Sequence, residues 1–451
     1  MKTQKRKNLC RLAVACLALL LWAGAAHADD PCLGSSAWIQ KPGLPDFTKE
    51  PANDCAFHQM AWQTFLYLVQ PLQKGALRFE TFESVADIFG QPATASSCID
   101  QDERIGRRRI FLPRDRKART PGIEQSGAKQ GILVDQEGSV TLYETYFDPT
   151  FVSFIAACNL TVKACETVDP ALQVPVGTLE LKASWRPIRR EDPNYERFYT
   201  LQDVTFDDPQ TGQCVTRDVA LVGFHLVYAP QGHPELVWAT FEHVANAPDG
   251  PCTGPTTPPP GFVRWTYNDA KSTDCANANQ LPDMTKQPYP VTQVVRNWAY
   301  GTNPAAVFGA DTIQQLKALN TSMAALLPGK SVWRNYFLVG SVWTENGALP
   351  AVQPTSAEVS GNLVGSALLA NATMETFDQS RNPLTTPPPN NCFTCHNTSA
   401  TNPQPVHVTH SITNAADLRA CPWKTPPPAC QATQPKKVTA QTSAIQPVAS
   451  H

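Results

Sequence analysis

The sequence VALVGFHLVY at residues 219–228 is followed, after a six-residue interval, by ELVWATFEHV at residues 235–244. Both runs are rich in β-branched and aromatic residues, which favour strands. The interval, APQGHP at residues 229–234, carries the proline and glycine that are typical of a turn. The two runs are therefore predicted to form an antiparallel hairpin near the middle of the chain.

Other segments extend this pattern in both directions. Short β-rich runs predict strands at Ile132–Asp135, Val140–Thr145, Thr178–Trp185, Phe198–Phe206 and Asn335–Thr344. Helical spacing of apolar residues predicts helices at 54–70, Val291–Tyr300, Asp311–Leu327 and Ala367–Phe377, with a short one near Ala415–Ala420. Asp54 is placed to cap the first helix, and Pro71 to stop it. The fold class expected is α+β, a large antiparallel-sheet-rich body with flanking helices.

The first residues indicate export. A positively charged segment at residues 2–11 precedes the apolar run Leu12–Ala26, and residues 26–28, Ala-His-Ala, form a small-x-small cleavage pattern. A membrane anchor would need a longer apolar run, and a lipoprotein at Cys16 would prefer leucine where Ala13 stands. We expect a signal peptide at 1–28, a periplasmic location and no membrane insertion after cleavage.

The charge of the exported chain restricts its partners. Cleavage removes five of the 37 basic residues and none of the 39 acidic ones, which leaves 32 against 39 and a formal net charge of −7. Nucleic acids and anionic lipids are bound by basic surfaces. Nucleic acid is therefore not expected as a partner, whereas a redox partner protein is compatible with this charge.

The cysteines agree with an oxidising compartment. Of the 14 cysteines, two leave with the signal peptide and two belong to the motif described next, so ten remain for disulfide bonds. Short polar or proline-rich loops suggest the pairs Cys158–Cys165 and Cys421–Cys430. Cys252 and Cys275 are placed to staple the proline-rich residues 246–290. The other pairings stay open.

The motif CFTCH at residues 392–396 carries the chemistry. In C-x-x-C-H the two thiols add to the vinyl groups of haem, and the adjacent histidine binds the iron. A thioredoxin-like redox motif would require a βαβ setting, and a zinc site would require a second ligand pair at matching spacing; the sequence offers neither. We expect one covalent haem c on Cys392 and Cys395, with His396 as the proximal iron ligand.

The sixth iron ligand stays open at this point. His410 lies 14 residues past His396, and His407 lies three residues before His410. Met374 precedes the motif by 18 residues. Two strong ligands favour electron transfer, whereas an open sixth position permits substrate or O₂ chemistry. His410 is the first candidate and Met374 the second. The alternative to electron transfer is therefore a peroxidase- or oxygenase-like haem enzyme, or a haem-based ligand sensor.

A family resemblance rests on five strings. LELKASW at 179–185, the run Val222–Val227, VWATFEHVANAP at 237–248, METF at 374–377 and CFTCH with THSI at 409–412 together resemble a family of large bacterial periplasmic monohaem c-type cytochromes. The resemblance covers most of residues 54–420. It implies covalent haem but no particular reaction. Relatives carry a Ser-His-Ile-like element after the motif, and here His410 stands in its place with Ser411 inserted.

The position of the motif sets the organisation of the chain. Only 55 residues follow His396 and none is methionine, which differs from the small all-helical cytochrome c fold. We expect a body at 29–379, a proline-rich connector at 380–391, a C-terminal haem-attachment segment at 392–430 and a disordered tail at 431–451. No sequence pattern identifies catalytic residues.

Several polar residues on the predicted strands and helices receive a structural interpretation. Glu242 and His243 are neighbours on one strand and should point to opposite faces, with His243 in the core. His58 and His225 are likewise expected to be structural, His225 sharing a face with Leu221 and Val227. Glu180 and Lys182 alternate along their strand, which predicts a surface ion pair.

Overall fold

The computed structural model describes residues 31–72, 75–89, 123, 125–127, 131–158, 160, 172–298, 300, 310–350, 363–366, 368–380, 392–397 and 405–409. The predicted signal peptide, the tail, nearly all of the connector and the helix near Ala415–Ala420 lie outside these ranges. So do His410, Cys165, Cys421 and Cys430.

The sheet that the hairpin predicted is present. Within the described residues, eight strands pair antiparallel in the order β1-β2-β3-β5-β6-β7-β8, with β4 paired to β5. Their bounds are Glu83–Ser84 (β1), Leu142–Phe147 (β2), Leu179–Ile188 (β3), Thr200–Asp207 (β4), Cys214–Tyr228 (β5), Val237–His243 (β6), Tyr336–Thr344 (β7) and Leu363–Gly365 (β8). The central hairpin is β5–β6, closed by the pair Tyr228–Val237. The run predicted at Ile132–Asp135 forms only an isolated bridge between Val134 and Val140.

Helices flank the sheet, as the α+β class requires. They are Ser36–Gln40 (α1), Asp54–Leu68 (α2), Val85–Phe89 (α3), Pro149–Ala157 (α4), Ala310–Leu326 (α5) and Cys392–Cys395 (α6). The cap of α2 is Asn53, whose side chain accepts from the Ala56 amide; Asp54, predicted as the cap, is the first helical residue and lies in the favourable first turn. Among the described helices, none combines the length and hydrophobicity needed to cross a membrane.

One face of the sheet packs against α2 and α5. Phe65 of α2 stacks on Phe241 of β6 with ring centroids 4.2 Å apart. The Trp62 indole donates to the Asn320 side chain of α5 at 2.9 Å, which ties the two helices together. The apolar residues on this side of β3, β5, β6 and β7 belong to the largest core cluster. We call this the helix face.

The opposite face is covered by α4 and by the last described segments of the chain. Trp238 and Val227 of the sheet share an apolar cluster with Phe393, Val406 and Val408. Phe393 is 1 % exposed and the two valines 0 %, so the segments at 392–397 and 405–409 are packed parts of the fold. We call this the C-terminal face. Because both faces are covered, the strands are buried on both sides.

Two predicted helices are absent. In place of a helix at Val291–Tyr300, the amides of Thr292, Val294 and Arg296 donate to carbonyls of three separate segments, at 2.8–3.0 Å. Alternate amides that bond to neighbouring segments are incompatible with the helical i→i−4 ladder. The segment is irregular, and its apolar residue Val294 packs with Ala220 and Val222 of the sheet.

The helix predicted at Ala367–Phe377 is also wrong. Turns lead into a short 3₁₀ segment, Thr376–Ser380. The side-chain oxygen of Asn371 accepts from both the amide and the hydroxyl of Thr373, at 2.8 and 2.7 Å. Such local side-chain bonds compete with helix formation and favour a turn.

Disulfide bonds are present, as the cysteine count predicted. Cys32 pairs with Cys55, and Cys252 pairs with Cys275 within the proline-rich segment. Cys158 and Cys214 are disulfide-bonded as well. The predicted pairs Cys158–Cys165 and Cys421–Cys430 each include residues outside the described ranges.

Removing the Cys252–Cys275 bond should therefore lower stability. The double replacement of both cysteines by alanine is expected to cost about 2–4 kcal/mol, because the bond restricts the unfolded proline-rich segment. The midpoint of denaturant unfolding measures this, and peptide mapping without reductant identifies the bonded pairs. Ten reactive thiols in the exported protein would contradict the disulfide assignment.

Candidate functional site

The CFTCH motif folds as one helical turn. Residues Cys392–Cys395 form α6, and the His396 amide donates to the Cys392 carbonyl at 2.8 Å. Positions i, i+3 and i+4 share one side of a helix. The turn therefore gathers both thiols and the imidazole on one side, while Phe393 is buried in the C-terminal face.

The His396 ring is held from two directions. Its Nδ1 lies 2.9 Å from the Val408 carbonyl, and its ring centroid lies 4.0 Å from that of Trp238. A carbonyl can only accept, so Nδ1 carries the proton and donates. In the neutral imidazole the lone pair is then on Nε2. Metal-binding histidines usually make such a hydrogen bond with the ring nitrogen that does not bind the metal, and the bond fixes both the tautomer and the ring orientation.

The segment that supplies this carbonyl is itself anchored. Val408 lies in a 3₁₀ segment, Pro405–Thr409, and the Val406 amide donates to the Leu172 carbonyl at 3.2 Å. On the other side, the Trp238 indole donates to the Glu235 carbonyl at 3.1 Å. Both supports of His396 are thus built into the body of the fold.

A row of polar side chains crosses the C-terminal face beside Trp238. Lys182 of β3 is in register with His225 of β5, which is in register with Thr240 of β6. Glu375, from the turn before the connector, accepts from His225 Nε2 at 2.9 Å. The other ring nitrogen of His225 lies 2.8 Å from the Thr240 hydroxyl. We refer to Lys182, His225 and Glu375 as the charged cluster.

The charged cluster lies within electrostatic range of the thiols. Burial raises the pKa of the Cys392 thiol well above its usual value, and the negative charge of Glu375 adds to the effect. Burial lowers the pKa of Lys182, and this is opposed by Glu375 and by Cys395. Burial alone would raise the pKa of Glu375, but His225 and Lys182 outweigh it, so that its pKa lies below the ordinary value. Glu375 is therefore ionised at neutral pH.

Of the three candidate sixth ligands, only Met374 has a side chain that the structure describes. Met374 is buried, 1 % exposed, in the turn where its amide donates to the Asn371 carbonyl at 3.2 Å. Its neighbour Glu375 belongs to the charged cluster, where it accepts from His225. His410 lies outside the described residues, and of His407 only the backbone is described. The identity of the sixth ligand stays a prediction.

The structural interpretation of His243 is confirmed. It lies on the helix face, where its Nε2 donates to the Arg197 carbonyl at 3.1 Å and its Nδ1 accepts from the Ala245 amide at 3.2 Å. Burial lowers its pKa to about 3. Glu242 points to the opposite face, as predicted, and pairs with Arg296 at 2.9 Å. His58 is also a buried core residue, and burial lowers its pKa to about 3.

Two expectations about the charged cluster are wrong. His225 was expected to share a face with Leu221, but a register shift between Ser184 and Trp185 places Leu221 on the helix face. Lys182 was expected in a surface ion pair with Glu180. Instead the sheet is covered on this side, Glu180 is 7 % exposed, and the Lys182 ammonium lies 5.3 Å from the Tyr143 ring centroid.

Comparisons with protein-family models, with curated proteins and with solved structures find no match to this chain. Among the described residues, no group of three or more histidine, cysteine or acidic side chains is arranged to hold a metal ion by itself. The site must therefore be interpreted from its own geometry.

Proposed function

We propose that this protein is a periplasmic monohaem c-type cytochrome. In this proposal Cys392 and Cys395 hold one haem c covalently, His396 is the proximal iron ligand, and the chain transfers electrons to or from a redox partner protein. The observation that carries the proposal is the C-x-x-C-H turn with His396 Nδ1 donating to the Val408 carbonyl. That bond directs Nε2, the ligating nitrogen, away from the backbone.

The residues present fit a haem. Two thiols and one imidazole share a side of α6, and the surrounding C-terminal face is apolar and aromatic: Trp238 contacts both His396 and Phe393, the buried residue of the turn. Haem, when bound, supplies an iron that cycles between Fe(III) and Fe(II). The chain's own contribution is to orient His396 through Val408 and Trp238 and to place both thiols on the same side of α6 as His396.

Retention of haem after denaturation tests the proposal. Denatured wild-type protein should keep one haem per chain by mass, and its pyridine haemochrome spectrum should be that of a haem with both vinyl groups converted to thioethers. Extraction of the haem by acidified acetone would overturn the proposal.

A second candidate function is a haem enzyme or ligand sensor with an open sixth position. The charged cluster favours it, because a partly buried histidine paired with a carboxylate is the kind of group that serves in general acid–base catalysis. Simple electron transfer does not require such a group. The two candidates differ in whether the iron is fully ligated in the resting state.

The state of the sixth position distinguishes them through His410. If His410 is the sixth ligand, the ferric protein should be low-spin and the ferrous protein should bind CO poorly. His410→Ala should then give a high-spin component and ready CO binding, with His396 still in place. The electronic spectra of both redox states, with and without CO, measure this.

Two other results would change the assignment. Wild-type protein that is already high-spin and binds CO readily would contradict His410 ligation and favour the enzyme or sensor. A low-spin spectrum that His410→Ala leaves unchanged would instead favour Met374, and Met374→Ala should then remove the sulfur-to-iron charge-transfer band.

A further inference from the structure

The charged cluster is connected to His396 through the C-terminal face of the sheet. A chain of contacts on the C-terminal face links it to His396: the His396 ring lies against Trp238 at a tilt of 36°, and Trp238 and Thr240 are alternate residues of β6 on the same face. Alternate residues of a strand are about 6.6–6.8 Å apart. Thr240 in turn contacts His225, which pairs with Glu375.

The Glu375 carboxylate is fixed by its partners. One oxygen accepts from His225 Nε2 at 2.9 Å, and the other accepts from the Asn371 amide at 2.8 Å. Asn371 is itself 0 % exposed and donates to the Thr240 hydroxyl at 2.8 Å. The side chain is 31 % exposed, but the carboxylate cannot turn away from these partners without breaking both bonds, so its charge keeps one position on the C-terminal face.

Lys182 provides the opposite charge. It is next to His225 in register, its ammonium lies over the Tyr143 ring, and it interacts electrostatically with Cys395, the second cysteine of the motif. Charges in a partly buried site interact more strongly and are screened less by salt than charges on an open surface, and here the Glu375 side chain is 31 % exposed. Glu375 interacts electrostatically with Cys392, and Lys182 with Cys395, so both charges would act on a redox centre attached at α6.

We propose that Glu375 and Lys182 set the reduction potential of the haem, Glu375 lowering it and Lys182 raising it. This inference rests on the haem function proposed above. Reduction adds one electron to the iron centre. A fixed negative charge nearby disfavours that step and a fixed positive charge favours it, in the same way that hydrogen bonding and burial tune other haem centres. His225 and Asn371 are positioning residues that hold the carboxylate.

Two nearly isosteric variants test the assignment because they predict opposite signs. Glu375→Gln keeps an oxygen for the Asn371 amide and should shift the midpoint potential to more positive values. Lys182→Met keeps the length of the side chain and should shift it to more negative values. Spectroelectrochemical titration of the holoprotein at fixed pH and fixed ionic strength measures both.

Asp192→Asn is the matched control. Asp192 is also buried and ion-paired, with Arg186 at 3.0 Å, but it lies beyond the far end of β3. Its replacement should shift the potential less than either test variant. Loss of folding in a variant would change the spectrum and could not produce shifts of opposite sign in the two.

The outcomes separate this inference from the proposed function. Wild-type protein without covalent haem would overturn both. Covalent haem with potentials that shift in the same direction in the two variants, or no more than in Asp192→Asn, would overturn the inference and leave the cytochrome assignment standing.

Discussion

The double variant Cys392→Ala/Cys395→Ala should carry no covalent haem at all, whereas each single variant should retain one thioether bond. Both thiols lie on the side of α6 that also presents His396, and no other described cysteine lies on that turn. Once both are absent, His396 alone would have to hold the haem. One imidazole bond to iron does not survive denaturation, so the whole signal in denatured protein depends on the two sulfurs.

The single variants should differ in a visible way. Cys392 is half-buried against the C-terminal face, while Cys395 is exposed. Loss of either thioether leaves one vinyl group unreacted, which shifts the absorption of the pyridine haemochrome. Because Cys392 is the cysteine that packs into the apolar cluster, Cys392→Ala should also reduce the yield of holoprotein more than Cys395→Ala.

Thr394→Ala is the control within the same turn. It keeps both thiols, His396 and the buried Phe393, and should retain haem at the wild-type level. Circular dichroism should show that the sheet is intact in all four variants, because α6 contributes only a few residues to a core whose described part is built on eight strands. Covalent haem in the denatured double variant would show that the attachment site lies elsewhere.

The sheet could be predicted from the sequence because its strands are strongly β-rich. The strand Tyr336–Thr344 and the helix Ala310–Leu326 were predicted close to their observed bounds, and so was the turn of the central hairpin, although β5 begins earlier than predicted, at Cys214. Helix α4, Pro149–Ala157, was not predicted. Its signals are the Asp148 cap, which accepts from the amides of Thr150 and Phe151, and a proline in the first turn.

The candidate site was predictable only in part. The C-x-x-C-H motif is local, since its three functional residues lie within five positions and one helical turn. Its support is not local: Val408 reaches His396 from 12 positions away, and Glu375 reaches His225 from 150 positions away. Nothing in the pattern of the strand at 178–185 indicates that Lys182 is covered. Only the register of β3 on β5 brings it to the site.

A buried ion cluster at the other end of β3 also depends on contacts between residues that are distant in the sequence. Arg186 is 2 % exposed, and its guanidinium meets Asp135 at 2.5 Å and Asp192 at 3.0 Å. Arg264 also reaches Asp192, at 2.9 Å. Burial raises the pKa of Asp135, and Arg186 is the main group that opposes this rise. The guanidinium therefore compensates carboxylates that have no access to water.

Arg186→Met should consequently lower the free energy of unfolding by about 3–5 kcal/mol, the usual cost of leaving a buried charge without its partner. The matched control is Arg190→Met, two residues beyond the end of β3. Arg190 is exposed and pairs with the buried Asp218 at 2.7 Å. Without Arg190, Asp218 still accepts from the Tyr195 hydroxyl at 2.8 Å and from the Asp203 amide at 2.9 Å, so the control should lose much less stability. Denaturant unfolding followed by circular dichroism measures both.

The loss in Arg186→Met should also depend on pH. Without Arg186, the folded-state pKa of Asp135 rises further above its unfolded value, because burial is no longer opposed. A raised folded-state pKa favours the folded form at low pH, and that contribution is lost as the pH rises through the folded-state value. The deficit in the free energy of unfolding should therefore be largest at neutral pH and smaller in acid.

Adding Asp135→Asn to Arg186→Met should recover part of the stability at neutral pH, since the amide carries no charge. A deficit independent of pH, and unchanged by Asp135→Asn, would mean that Arg186 stabilises the fold by packing rather than by charge.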